Sequence, residues 1–253
     1  MGAEVIGVMD SLRFGKIDEH SLQIIRGVID GVGGYSNPLG VPNIGGDTYL
    51  HDGFKDNCLV NVIAIGIVER DRIIHSFVPK EVENEPYVLI LVGKATDSSG
   101  FGGASFASAD LDKHEQRKGA VQVPDPFLKR VLVAANRECF DFVYKNKLKV
   151  AMKDLGAGGI LGASSEITGK SRHGAEINIE DILVGEEDLS PQVILCSETQ
   201  ERYIWAVPER IANNLLKIYN EEFELGRMYK NAGASIIGPV SYTHLTLPTI
   251  LRV

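Results

Sequence analysis

The stretch Tyr87-Val-Leu-Ile-Leu-Val92 runs directly into a glycine-rich segment, residues 93–103. Its run of apolar and aromatic residues, bounded by glycine, predicts a β-strand. Further along, apolar residues recur at helical spacing over residues 127–144, which predicts a long amphipathic helix. Since strands and helices alternate along the chain, the pattern predicts an α/β fold.

Four elements are predicted upstream of this strand. They are a strand at residues 5–9, a helix at residues 21–32 that ends at Gly33-Gly34, a turn at residues 35–39, and a strand at residues 58–68. Both strands are rich in valine and isoleucine, so we expect them to be buried. The polar residues 70–86 predict a domain boundary. We therefore expect a first domain at residues 1–70, a linker at 71–86 and a second domain at 87–240.

The second domain is predicted to contain five further elements. They are a strand at residues 149–152, a helix at 163–169, short strands at 193–196 and 203–207, and a helix at 209–223. Another strand is expected near residues 237–240, after which the periodicity is lost. Residues 240–249 resemble the translation of a sequencing-library adapter, so residues 241–253 are not expected to carry function. Met1 is expected to be an internal methionine or a start assigned on an incomplete gene.

Composition excludes several function classes. The formal net charge of the 253 residues is −8, which argues against a general affinity for nucleic acid or for anionic membranes. No apolar run reaches the ~20 residues of a membrane-spanning helix. The three cysteines, Cys58, Cys139 and Cys196, form neither a zinc pattern nor a disulfide framework, so a reducing cytoplasm is the predicted location.

The most informative motif is Asp154-Leu-Gly-Ala-Gly-Gly159, which follows a predicted strand. A carboxylate followed by glycines that open a helix is an arrangement that places magnesium beside phosphates. The alternative is that Asp154 caps the helix and that the glycines permit close packing.

A second motif, Ser197-Glu-Thr-Gln-Glu-Arg202, places acids, an amide and an arginine between two apolar runs. Polar groups at a strand end usually bind something, although a local ion pair between Glu201 and Arg202 would also explain part of the pattern. Gln122 precedes Asp125, which is placed to cap the long helix. Gln122 itself is either an exposed polar residue or a ligand contact.

Two glycine-containing segments are more ambiguous. Gly45-Gly-Asp-Thr48 predicts either a tight turn that presents Asp47 to a metal or phosphate, or an ordinary hairpin turn. The loop that contains Gly102 and Gly103 lacks the ending of a P-loop, and it is either a phosphate cradle or a flexible loop.

Taken together and in this order, the Asp154 and Ser197 motifs resemble the large subunit of phosphoribosylformylglycinamidine synthases, which belongs to the superfamily of aminoimidazole ribonucleotide (AIR) synthases. The resemblance implies an α/β fold of the α+β type, in which part of an N-terminal AIR-synthase domain precedes its C-terminal partner. It implies that Asp154 is a magnesium ligand. It also implies that four residues contact the substrate: Gln122, Glu198, Thr199 and Gln200.

The same resemblance places Gly102 and Gly103 near the catalytic cleft, whereas the family usually carries glutamate at the position of Asp47. It places the general-base histidine and the other metal carboxylates upstream of Met1. No catalytic residue is therefore expected in this chain, and we expect the chain alone to have no synthase activity.

The implied reaction converts formylglycinamide ribonucleotide to its amidine with ATP, Mg²⁺ and glutamine-derived ammonia. The implied partners are a glutaminase subunit and a small bridging subunit. Two alternatives stay open: another superfamily member, such as an aminoimidazole ribonucleotide synthase or a small-molecule kinase, and a non-catalytic nucleotide-binding domain.

Overall fold

The computed structural model describes residues 2–55, 57–103 and 122–242. The chain divides into two compact units between Ile73 and Ile74. Among the described residues, no helix combines the length and the apolar character that crossing a bilayer requires.

The first unit contains three strands and one long helix: β1 at Glu4–Phe14, α1 at Glu19–Leu39, β2 at Asn43–Leu50 and β3 at Leu59–Ile67. The strand order in the sheet is β2-β1-β3. Strand β1 pairs in parallel with β2 and antiparallel with β3. The predicted strands are present, but their predicted burial is wrong for many side chains, because Val5, Leu59 and Ile63 are 46%, 46% and 55% exposed.

Helix α1 is longer than predicted. Asp18 caps its first turn by accepting from the backbone N–H of Ser21, and the Ser21 hydroxyl accepts from the backbone N–H of Asp18 in return. The helix continues through Gly33-Gly34 and the expected turn, and it ends at Gly40 in the left-handed conformation. A helical glycine costs only about 1 kcal/mol relative to alanine, so a glycine pair need not end a helix.

The segment Gly45–Thr48 is part of strand β2, so both turn interpretations of it are wrong. Gly46 has a φ of 145°, and a Cβ placed on it would lie 2.1 Å from the carbonyl oxygen of Asp10. Glycine is needed here because the backbones of β1 and β2 approach too closely for a side chain.

The second unit is built on an antiparallel five-stranded sheet with the order β5-β7-β4-β8-β6. Its strands are β4 at Tyr87–Gly93, β5 at Ala151–Asp154, β6 at Gly174–Ala175, β7 at Arg202–Pro208 and β8 at Gly233–Ser241. Its helices are α2 at Pro126–Lys145, α3 at Gly159–Gly169, α4 at Pro191–Cys196, α5 at Glu209–Lys217, which continues as a π-helical turn at Ile218–Glu222, and α6 at Leu225–Met228.

Helices cover both faces of this sheet. Alternate residues of β4 enter two different cores: Val88 and Ile90 pack with α2 and α5, whereas Leu89 and Leu91 pack with α3 and α4. This double burial explains why the strand reads as a continuous apolar run rather than as an alternating one. The mixed architecture confirms the predicted α/β fold.

The predicted strand at residues 193–196 is wrong, because these residues form helix α4. The hydroxyl of Ser190 accepts from the backbone N–H of Val193, and Pro191 occupies the first turn. Both features are typical of a helix start. A serine hydroxyl accepts from a free backbone N–H of the first turn, and proline has no backbone N–H that would need a partner there.

Candidate functional site

The two motifs lie at one edge of the five-stranded sheet. Asp154, at the end of β5, pairs in register with Tyr203, and Gly93, at the end of β4, pairs with Arg202 at the start of β7. Because both neighbours of β7 are antiparallel to it, the ends of β4 and β5 meet the segment that enters β7. We call residues 93–103 the glycine-rich loop and residues 197–201 the Glu198 loop.

Gln122 and Glu198 meet at this edge. The Nε2 group of Gln122 donates to Oε2 of Glu198 at 2.8 Å, although the residues are 76 positions apart. Glu198 is only 5% exposed. Gly100 packs beside the pair with a φ of 70°, and a Cβ on it would lie 3.1 Å from both the Cγ of Gln122 and the Cβ of Glu198. The predicted substrate contacts Gln122 and Glu198 are thus direct neighbours of the glycine-rich loop.

Gly159 joins the two motifs. Its φ is 56°, and a Cβ on it would lie 2.3 Å from the carbonyl oxygen of Ser197. The start of α3 therefore packs against the backbone that carries the Glu198 loop. The packing role proposed for the glycines of the Asp154 motif accounts for this position.

Arg202 holds the Glu198 loop from inside. Its side chain, which is buried, donates to the carbonyl oxygens of Ser197 and Thr199 at 2.6 and 3.0 Å and to the hydroxyl of Thr96 at 2.8 Å. Burial lowers the pKa of Arg202 to about 10. Since its acceptors are neutral backbone and hydroxyl oxygens, Arg202 stabilises the shape of the loop by hydrogen bonds rather than by the suggested pairing with Glu201.

Glu201 serves a different contact. Its carboxylate lies 3.2 Å from Nζ of Lys129 and accepts from the backbone N–H of Asp125 at 3.2 Å. Its backbone has a φ of 61°, which is unusual for a residue other than glycine. Its carbonyl oxygen accepts from the backbone N–H of Lys94 and lies 2.0 Å from where a Cβ of Gly93 would be. The Glu198 loop is therefore held against both β4 and α2.

Asp97, which sequence reasoning did not single out, connects the two loops. Its Oδ1 accepts from the hydroxyl of Thr199 at 2.9 Å and from the backbone N–H and hydroxyl of Ser99. Its Oδ2 lies 2.6 Å from Nζ of Lys94. Burial alone would raise the pKa of Asp97, but the hydrogen bonds from Lys94, Ser99 and Thr199 outweigh burial and lower the pKa below its usual value. An acid within a glycine-rich segment was the signal in the sequence.

The remaining predicted contacts differ in accessibility. Thr199 is 1% exposed, and its hydroxyl is engaged by Asp97. Gln200 is half-buried, and its Nε2 donates to the carbonyl oxygen of Glu198 at 3.3 Å. Gly103 closes a turn onto Gly100, and Gly102, with a φ of 74°, has open space where a side chain would be. The rest of that segment, residues 104–121, lies outside the described residues.

Asp154 presents an exposed carboxylate at the sheet edge. Its side chain is 60% exposed. Nζ of Lys153 lies 4.0 Å from the Asp154 carboxylate but only 2.7 Å from that of Glu166, so Lys153 pairs mainly with Glu166. Within residues 2–55, 57–103 and 122–242, no three His, Cys, Asp or Glu side chains come together as a metal cage. Asp154 thus offers a single accessible carboxylate, and magnesium is commonly held by one or two carboxylates together with substrate phosphates and water.

Asp47, the weaker candidate, lies in the first unit. Its carboxylate makes two hydrogen bonds with the guanidinium of Arg13, at 2.9 and 3.0 Å, on neighbouring strands β2 and β1. The Arg13 hydrogen bonds outweigh desolvation and lower the pKa of Asp47. This pairing accounts for Asp47 without a ligand.

Comparison with known proteins places the chain in a family. Residues 87–237 match the family described as AIR synthase related protein, C-terminal domain, and residues 1–68 match the corresponding N-terminal domain. The C-terminal match alone covers more than half of the chain, so the chain belongs to the AIR synthase related family.

The relatives are named more specifically. A protein from Methanothrix thermoacetophila named phosphoribosylformylglycinamidine synthase subunit PurL is 44% identical over 250 residues, which cover 96% of this chain and 32% of the relative. Thermotoga maritima PurL in complex with FGAR is 32% identical with a TM-score of 0.80, over 95% of this chain and 36% of that one. The same protein complexed with ATP is 29% identical with a TM-score of 0.75, over 96% and 35%.

These matches confirm the resemblance inferred from the motifs. The chain spans about a third of the length of the relatives that it matches.

Proposed function

We propose that this chain is part of an ATP-dependent phosphoribosylformylglycinamidine synthase of the PurL type. The observation that carries the proposal is the hydrogen bond between Gln122 and Glu198, which joins two predicted substrate contacts at one sheet edge. The similarity of the chain to PurL proteins described with FGAR and with ATP supports this proposal.

The substrate proposed for this edge is formylglycinamide ribonucleotide (FGAR). A carboxylate accepts hydrogen bonds, and an amide both donates and accepts, so Glu198 and Gln122 together suit the hydroxyl and amide groups of such a ribonucleotide. Gln200, in the same loop, offers a second amide. The surrounding loops hold these groups in place before the ligand arrives, which reduces the entropy cost of binding.

Asp154 is proposed to supply one magnesium ligand beside the phosphates of ATP. When bound there, magnesium would neutralise charge on the transferring phosphoryl group. The chain's own contribution is to fix the carboxylate at the end of β5, next to the tight Gly159 contact with the Glu198 loop. We propose a glutaminase subunit as the source of ammonia and a small bridging subunit as a further partner.

The function is tested by transplanting residues 2–240 into the matching third of Thermotoga maritima PurL. The chimera should convert FGAR in a reaction that requires both ATP and ammonia, and Glu198→Gln in the chimera should lower kcat/KM. A folded chimera that binds ATP but leaves FGAR unchanged would contradict the proposal. Turnover of the amidine product instead of FGAR would favour the aminoimidazole ribonucleotide synthase alternative.

A further inference from the structure

We infer that Asp97 is a positioning residue that sets the Glu198 loop for substrate, and that Thr199 acts through Asp97 rather than as an independent substrate contact. This inference rests on the proposed function, since it concerns how the same edge binds FGAR. The glycine-rich loop would then contribute to ligand binding indirectly, because it holds in place the residues that are proposed to contact the ligand.

The Asp97 carboxylate links the glycine-rich loop to the Glu198 loop. One oxygen, Oδ1, accepts from the Thr199 hydroxyl at 2.9 Å and from the backbone N–H of Ser99 at 3.1 Å. The backbone N–H of Asp97 in turn donates to the Thr199 hydroxyl at 3.2 Å. The two loops are therefore joined by reciprocal bonds between residues that are 102 positions apart.

The charge of Asp97 is balanced within the glycine-rich loop. Lys94 neutralises the other carboxylate oxygen at 2.6 Å, with its side chain 11% exposed and that of Asp97 16% exposed. An ion pair shielded from water to this degree restricts both partners more than a surface pair does. Asp97 is thus fixed on one side by Lys94, which directly follows β4, and its other oxygen accepts a hydrogen bond from Thr199.

Thr199 lies next to the proposed ligand-binding groups but is itself buried. The residue is 1% exposed and its hydroxyl already has a donor and an acceptor in Asp97, so little of it is available to a ligand. Thr199 directly follows Glu198, and Ser99, which Asp97 also binds, directly precedes Gly100. Asp97 thereby places both sides of the contact between Gly100 and Glu198.

A double-mutant cycle tests this inference on the full chain, with FGAR affinity measured by isothermal titration calorimetry. Asp97→Ala and Thr199→Val should each weaken FGAR binding about 10-fold, and the double variant should also lose about 10-fold because both substitutions remove the same link. Thr199→Ser, which keeps the hydroxyl, should restore the wild-type affinity. Ser98→Ala, in the same loop but outside this network, is the matched control.

Two results would overturn the inference: a loss of about 100-fold in the double variant, which would make Thr199 an independent contact, or an unchanged affinity in Asp97→Ala. If Asp97→Ala does not fold, Asp97→Asn takes its place. This substitution keeps an acceptor oxygen for Thr199 but loses the charge, so it should weaken FGAR binding less than Thr199→Val does. An equal or larger loss in Asp97→Asn would contradict the proposed link.

A second measurement separates this inference from the proposed function. Hydrogen exchange of the backbone amides of residues 197–201, without ligand, should increase in the Asp97 variant while exchange in β4 and β7 stays unchanged. If wild-type chain does not bind FGAR, the proposed function fails, and faster exchange in the loop still supports the positioning role. Exchange that is unchanged in the loop would overturn the role of Asp97 whatever the ligand.

Discussion

The carbonyl oxygen of Ser197 lies 2.3 Å from the position that a Cβ on Gly159 would occupy. This contact brings the start of α3 against the loop that carries Glu198. The segments that carry a proposed magnesium ligand and a proposed substrate contact therefore belong to one packed unit.

Gly159→Ala should destabilise the second unit by about 3 kcal/mol, because the added methyl group meets backbone and alanine is disfavoured at positive φ. Urea unfolding measures the loss. Gly169→Ala, at the other end of α3 with nothing within 4 Å of the added atom, should be neutral or slightly stabilising. Equal effects of the two substitutions would show that the Gly159 contact is not as tight as described.

Arg202→Met should cost about 3 kcal/mol, because it leaves the carbonyl oxygens of Ser197 and Thr199 without their donor in a buried setting. Arg210→Met is the matched control. Arg210 is 59% exposed and pairs with Glu85 at 2.8 Å, so its loss should cost no more than about 1 kcal/mol. Similar unfolding free energies for the two variants would refute the anchoring role of Arg202.

Asp97 should make stability depend on pH. Its pKa in the folded chain lies below its usual value of 3.8, so the charged form contributes stability that is fully present above that value. This contribution is lost as the pH falls through the folded-state pKa. The difference in unfolding free energy between wild type and Asp97→Asn should therefore be largest near neutral pH and shrink in acid.

The control for this pH series is Gly169→Ala, which removes neither a charge nor a hydrogen-bonding side chain and should give a difference that is constant with pH. A gap between wild type and Asp97→Asn that widens on acidification would reverse the sign and contradict the assigned contacts.

Gly46→Ala should disrupt the pairing of β1 with β2, because its Cβ would lie 2.1 Å from the carbonyl oxygen of Asp10. Hydrogen exchange of the β1 amides should rise in this variant. Gly27→Ala, in α1 with open space around the added atom, should leave β1 exchange unchanged. Unchanged exchange in both variants would show that β2 can move away at little cost.

Sequence predicted the elements best where one physical signal was sufficient. The continuous apolar run of β4 and the helical spacing of α2 were both predicted, and Asp125 does cap α2 by accepting from the backbone N–H of Leu128. The strand predicted from the short apolar run at residues 193–196 was wrong, because four apolar residues do not distinguish a strand from a helix turn. Ser190-Pro191, just before it, carried the helix signal.

The candidate site was less predictable for a similar reason. The glycines of the Asp154 motif could be read as close-packing positions, but no local pattern names Ser197 as the partner of Gly159. The link between Asp97 and Thr199 depends on the antiparallel pairing of β4 with β7, which joins positions far apart in sequence. Roles for Gln122 and Glu198 came from the family resemblance rather than from spacing.

The central claim is that the edge formed by Gln122 and Glu198 binds FGAR, and the most direct test is calorimetric titration of the full chain with FGAR. Wild-type chain should bind saturably, Glu198→Gln should weaken binding at least about tenfold, or ~1.4 kcal/mol, and Glu138→Gln, on the exposed side of α2, should bind like wild type. No saturable binding by wild type, or equal affinities of wild type and Glu198→Gln, would contradict the claim.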